Sequence, residues 1–184
     1  MKFKNLFEST IQLDNAIADI ADRLKSLKIQ YALIGGLALG FYGYKRFTHD
    51  IDILIDKEGY EKLIKSVIGL GYKYNFNGAR GIQHTEYKIP IDFIFSGEVY
   101  GSFTYPKPQD VKKLKNGVYV VSLPKLIEIK IASGLNNPKR PNDLADAQLL
   151  IRHNINNLRG FKISDDALIN KKYMELWNIE GKDL

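Results

Sequence analysis

The chain has 184 residues, 45% of them hydrophobic, which suffices for one substantial core but is short for two. It has no cysteine, which excludes disulfides, thiolate nucleophiles and cysteine-based metal sites, and no run near the roughly 18 apolar residues a membrane span needs. Its 27 Lys and Arg outweigh 21 Asp and Glu by +6, a balance that suits a polyanionic ligand such as a nucleoside triphosphate or RNA without requiring one.

The N-terminal "MKFKNLFESTIQLDN" is basic, but Glu8 and Asp14 interrupt any apolar run. No signal peptide is read there, and the expectation is a soluble, cytoplasmic protein. Over residues 9–28, Ile11, Leu13, Ile17, Ile20, Ala21, Leu24 and Leu27 recur at three- and four-residue spacing, which predicts an amphipathic helix capped by Ser9 or Thr10. "QYALI" (30–34) predicts a short apolar strand running into Gly35-Gly36, and "GLALGFYGY" a short, glycine-punctuated helix. "DIDILI" (50–55) predicts a strand. "KEGYEKLIKSVIGLGYK" predicts a helix that Asp56 caps and that ends near Gly69–Gly71.

Three strands are expected next, over 72–76, 82–89 and 91–96. The second is polar and alternating and so belongs at an edge or faces water on one side, whereas the third is apolar and central. Residues 97–117 read as a loop or irregular arm, in which Lys107, Lys112, Lys113 and Lys115 form a basic patch, read as a solvated loop or as a contact for a polyanionic acceptor such as RNA. A strand over 118–123 leads into a helix over 124–135 with Pro124 at its start. "NPKRPND" is a turn, "LADAQLLIRHN" is helical, and a last helix covers about 165–178. The fold class expected is α+β, a mixed β-sheet flanked by helices. Residues 1–123 form the core with its N-terminal helix, and residues 124–184 form a helical segment packed on that core as one unit.

Asp50 and Asp52 carry the chemistry. In a strand, positions i and i+2 share a face, so the two carboxylates project together while Ile51 and Ile53 point into the core. Like charges so close repel unless a cation lies between them, and magnesium prefers carboxylate, phosphate and water oxygens. Asp92, alone in the apolar "IPIDFIF", offers a third acid, since isolated buried acids are costly. A strand ending in Gly-Gly before a helix brings backbone N–H groups near whatever binds there, phosphate being the natural ligand. The three histidines lack metal-ligand spacing, and His49 points away from the Asp50 face. The eleven tyrosines form no base-stacking motif.

"LIGGLALGFYGYKRFTHDIDILI" resembles the core motif of the nucleotidyltransferase superfamily that includes DNA polymerase β. The resemblance implies a nucleotidyltransferase-like fold in which Asp50, Asp52 and Asp92 are catalytic and hold two Mg2+ ions, with Mn2+ as a substitute. It implies that Gly35 and Gly36 approach the triphosphate of an NTP. The Arg46 and Thr48 ahead of the acids are similar to those of small bacterial nucleotidyltransferases of the abortive-infection toxin type, which makes both candidate nucleotide contacts. "VYVVSLPKLIEIKIASGLNNPKRPNDLADAQLL" looks like the helical segment of those proteins, aligning Lys130, Arg140, Asp143 and Asp146 with its basic and acidic positions; Asn142 stands where a lysine is usual. On the residues alone, Lys130 equally reads as a lysine reaching solvent, and Arg140, Asp143 and Asp146 as an ion-pair cluster at a helix start. The activity implied is transfer of an NMP group to a hydroxyl of a small molecule, a protein or a tRNA, with a partner protein possible. The alternative is a non-catalytic nucleotide-binding or toxin–antitoxin interaction module of the same fold.

Overall fold

The computed structural model describes residues 3–75, 80–108, 111–114 and 117–181. Among them a mixed seven-stranded sheet has helices on it. In chain order these are α1 (Phe3–Ser26), β1 (Tyr31–Ile34), α2 (Gly35–Phe41), β2 (Ile51–Ile55), α3 (Lys57–Val67), β3 (Tyr72–Tyr74), β4 (Gly81–His84) and β5 (Pro90–Phe95). The hairpin β6 (Val99–Tyr100) and β7 (Phe103–Thr104), then β8 (Val111–Lys113) and β9 (Tyr119–Val121), lead to α4 (Leu123–Asn136), α5 (Pro141–Asn154) and α6 (Ala167–Glu180). The sheet order is β3-β4-β5-β2-β1-β9-β8. β2 therefore lies at its centre, antiparallel to β1 and parallel to β5.

The centre of the sheet is where the sequence is most apolar. Ile51, Ile53, Leu54 and Ile55 are all fully buried, so both faces of β2 are covered, as suits a strand with a parallel neighbour. One core cluster joins Ile17, Ile20 and Leu24 of α1 to these strands and to Leu126, Ile127 and Ile131 of α4. Asp56 caps α3, accepting from the Gly59 N–H at 2.5 Å.

Four expectations need correction. The first helix starts at Phe3 and not at Ser9 or Thr10, so neither residue is its cap. The polar strand β4 is not an edge, because β3 pairs with its far side; its polar stretch after His84 forms a turn and leaves the sheet. Residues 97–117, read as loop, hold β6, β7 and β8, which makes β8 the other edge. α5 begins at Pro141, so Asn142 and Asp143 sit in its first turn and not in the connection. Phe76 of the strand expected over 72–76, Lys115 of the basic patch, and the side chains of Lys112 and Lys113 lie outside the described residues.

Candidate active site

The strand register gathers the acids. β1, β2, β5 and β4 place Ile34, Asp52, Asp92 and Gly81 in one row across four strands. Asp52 and Asp92 are therefore direct neighbours on a parallel pair. Asp50 lies just ahead of β2, two residues before Asp52, and Thr48 Oγ1 donates to its Oδ1 at 2.5 Å. One carboxylate oxygen from each of Asp50, Asp52 and Asp92 lies within 4.8 Å of the others, and among the described residues this is the group of acidic or histidine side chains so arranged.

Three carboxylates that close repel one another. Burial and the charge of Asp50 push the Asp52 carboxyl up from its ordinary 3.8 to about 6, against the pull of Lys130 and Arg140. Asp92 is raised as well, by burial and by Asp50. The donor set of three hard carboxylate oxygens fits a divalent ion such as Mg2+.

Gly35 and Gly36 are small for different reasons. Gly35 has φ of +65°, a conformation that disfavours side chains, and a Cβ on it would fall on the Asp52 carboxylate. A Cβ on Gly36 would lie 2.8 Å from Thr48 Oγ1 and 3.4 Å from an Arg46 guanidinium nitrogen. α2, with only seven residues, offers little helix dipole at this corner. Beside it, a cavity of about 570 Å³ opens between α1 and the segment before β2, lined by Leu13, Gly36, Phe41, Arg46, Thr48 and His49.

The remaining candidates converge from α4 and α5. Lys130 is 3% exposed, and its Nζ donates to Asp143 Oδ1 at 2.7 Å and Asp146 Oδ2 at 2.8 Å. It does not reach solvent, so the snorkelling alternative is wrong. Arg140 Nε pairs with Asp143 Oδ2 at 2.8 Å, and Arg46 Nε with Asp146 Oδ1 at 3.3 Å. Three cations thus share two buried acids, with Lys130 and Arg140 lining the cleft that also holds Asp52 and Gly35. Burial raises the Asp143 carboxyl, but Lys130, the Ser133 hydroxyl and Arg140 together hold it below the ordinary carboxylate range.

Ser133, whose Oγ donates to Asp143 at 2.6 Å, was not singled out by the sequence, because one serine on an apolar helix carries no signal. Gly81 was missed too; its only signal is its place at the head of a strand whose register is invisible in sequence. The edge-on contact of His49 with Phe47 puts the histidine on the cavity wall and outside the acid cluster.

With this geometry in place, comparison with known proteins gives a consistent answer. The family model described as "Nucleotidyl transferase AbiEii toxin, Type IV TA system" matches residues 20–172. An antigenic nucleotidyltransferase-like protein from Paracoccidioides brasiliensis superposes with a TM-score of 0.59 at 18% identity, over 94% of this chain and 90% of that one. ANT(2")-Ia in complex with adenylyl-2"-tobramycin gives 0.54 at 12% identity, over 86% and 97%. A solution structure of the antibiotic-resistance factor ANT(2'')-Ia gives 0.51 at 15%, over 89% and 96%. No curated relative matches the chain. The solved structures share the fold, a nucleotidyltransferase-like mixed sheet with helices on it and at its C-terminal end.

Proposed function

We propose that this chain, which belongs to the nucleotidyl transferase AbiEii toxin family of type IV toxin–antitoxin systems, moves a nucleoside monophosphate from an NTP to an acceptor hydroxyl and releases pyrophosphate. The observation that carries this reading is the convergence of Asp50, Asp52 and Asp92 within 4.8 Å at the head of two parallel strands. Asp50 and Asp52 would hold two divalent ions, with Asp92 as the third ligand of one of them. Bound there, the metal ions supply charge neutralisation on the phosphates and a lowered pKa for the acceptor hydroxyl.

The chain's own groups do the rest. Asp92, the acid contributed by the neighbouring strand, would also accept the acceptor's proton as general base. Gly35 and Gly36 let backbone approach the phosphates without a side chain between. Arg46 and Arg140 would offset phosphate charge from the rim and the buried Lys130 from within the cleft, and Thr48 keeps Asp50 turned toward its partners. The acceptor would be a small molecule, as adenylyl-2"-tobramycin in the ANT(2")-Ia complex illustrates for that protein, a protein hydroxyl or a tRNA. A protein partner accords with a toxin–antitoxin family.

The test is to supply each α-labelled NTP with Mg2+ to a lysate and follow the label. Metal-dependent transfer into a small-molecule, protein or RNA fraction, with pyrophosphate as the other product, is the expected outcome. An NTP analogue that fails to bind in calorimetry with Mg2+ would instead favour an interaction module without catalysis. Thr48→Val should weaken Mn2+ binding about 10-fold or more, measured by electron paramagnetic resonance, because Asp50 loses the hydroxyl that orients it.

A further inference from the structure

Gly81 stands at the end of the row that contains the acids, directly opposite Asp92 on the antiparallel neighbour β4. It is buried, and its φ lies outside the left-handed region, so nothing about its backbone requires glycine. Space does. A Cβ at this position would stand 2.6 Å from Asp92 Oδ1 and 3.3 Å from the Asn75 Cβ. The first distance is one that real Cβ atoms essentially never show, so one of the two groups would have to move.

The backbone at Gly81 is not free to be that group. Its carbonyl accepts from the Asn75 N–H at 2.9 Å on one side, and the β4–β5 ladder fixes it on the other. The preceding Arg80 makes two bonds to Glu98, at 2.6 and 2.8 Å, with its guanidinium 4.4 Å from the centre of the Phe95 ring. Gly81 is thus clamped at both ends of its peptide, and the Asp92 carboxylate is the movable partner. Next to Ile34, which ends the row on the other side, Gly35 makes the same allowance for Asp52. The acid pair lies between two positions that lack a side chain.

We infer that Gly81 is a positioning residue for Asp92: the side chain it lacks leaves the third carboxylate room to turn toward Asp50 and Asp52. This rests on the reading of the three acids as a metal site. An added methyl would rotate Asp92 out of the cluster and leave Asp50 and Asp52 as they are.

The experiment compares Gly81→Ala with wild type, and with Gln83→Ala on the same strand as a control. Mn2+ affinity is read by electron paramagnetic resonance, transfer kinetics by labelled NTP, and stability by thermal melting. Gly81→Ala should lower Mn2+ affinity about 10-fold or more, the loss typical when a ligand is misoriented. The kcat should fall with the KM for NTP little changed, because Asp92 serves the acceptor more than the triphosphate. Wild-type Mn2+ affinity in a folded Gly81→Ala protein overturns the inference. Should Gly81→Ala not fold, the double variant Gly81→Ala/Asp92→Ala decides. Melting close to that of Asp92→Ala alone places the clash at Asp92, and an unrelieved loss of folding places it elsewhere and overturns the inference. Failure of wild type itself to bind Mn2+ would reject the metal-site reading on which the inference rests, and with it the role assigned to Gly81.

Discussion

Asp52→Asn should abolish transfer and yet, in the absence of metal, melt at a higher temperature than wild type at pH 7. The loss of activity follows from geometry. Asp52 is the middle of the three acids, beside Asp92 in register and two residues from Asp50, so its removal disturbs both proposed ion positions. A loss of about 10²-fold or more is expected when one preorganised charge-stabilising group is deleted. The gain in stability follows from the cost of holding this charge without a cation. Its folded carboxyl is raised from 3.8 to about 6 by burial and by Asp50. A raised acid stabilises the fold while protonated and loses that contribution as pH climbs from about 4 through about 6. At pH 7 the metal-free wild type is therefore short of roughly 2–3 kcal/mol that the neutral asparagine does not forfeit. Adding Mg2+ should raise the wild-type melting temperature and leave that of Asp52→Asn nearly unmoved. Equal Mg2+ stabilisation of the two proteins would show that Asp52 is not a ligand.

This opposition of function and stability also explains why the site was legible before its surroundings were. An acid inside "IDILI" contradicts the local apolar pattern, and a contradiction of that kind stands out in one dimension. Asp92 in "IPIDFIF" stands out likewise. The central strands were readable because they are continuous apolar runs, and α3 because Asp56 caps a clear stripe. The two- and three-residue strands β6, β7 and β8 were not, since such short segments hold too few residues to show a period and lie among Pro, Gly and Lys. The start of α1 was missed because Ser9 and Thr10 look like caps although the chain upstream remains helical. The edge position assigned to β4 failed because pairing depends on which segment docks next to it, and Tyr72–Tyr74 supplies that neighbour. Gly81 was invisible for the same reason: its role exists only through register with Asp92.

Lys130 is where sequence left two readings and geometry removed one of them, the lysine that reaches solvent. Surrounded by Ile129 and Ile131, it read as either a phosphate contact or a surface lysine. Its amine joins two carboxylates of α5, themselves bound by Arg46 and Arg140, so one buried group ties α4 and α5 to the segment that carries Thr48 and Asp50. Lys130→Met should therefore lower stability by about 3–5 kcal/mol, because Asp143 and Asp146 stay buried while losing their shared cation. The pH dependence distinguishes this from lost packing. Asp143 has a folded carboxyl held below the ordinary range, so its pairing stabilises the fold above the unfolded value near 4 and is lost as pH falls through the lower folded one. The gap in melting temperature between wild type and Lys130→Met should be widest near pH 7 and should narrow on acidification below about pH 4. A gap that stays constant over that range would assign Lys130 a packing role, with the charge incidental. The triple variant Lys130→Met/Asp143→Asn/Asp146→Asn should recover much of the stability, since no buried charge is then left unpaired. It should not recover NTP affinity, because Arg46 and Arg140 lose the carboxylates that hold them beside the proposed site.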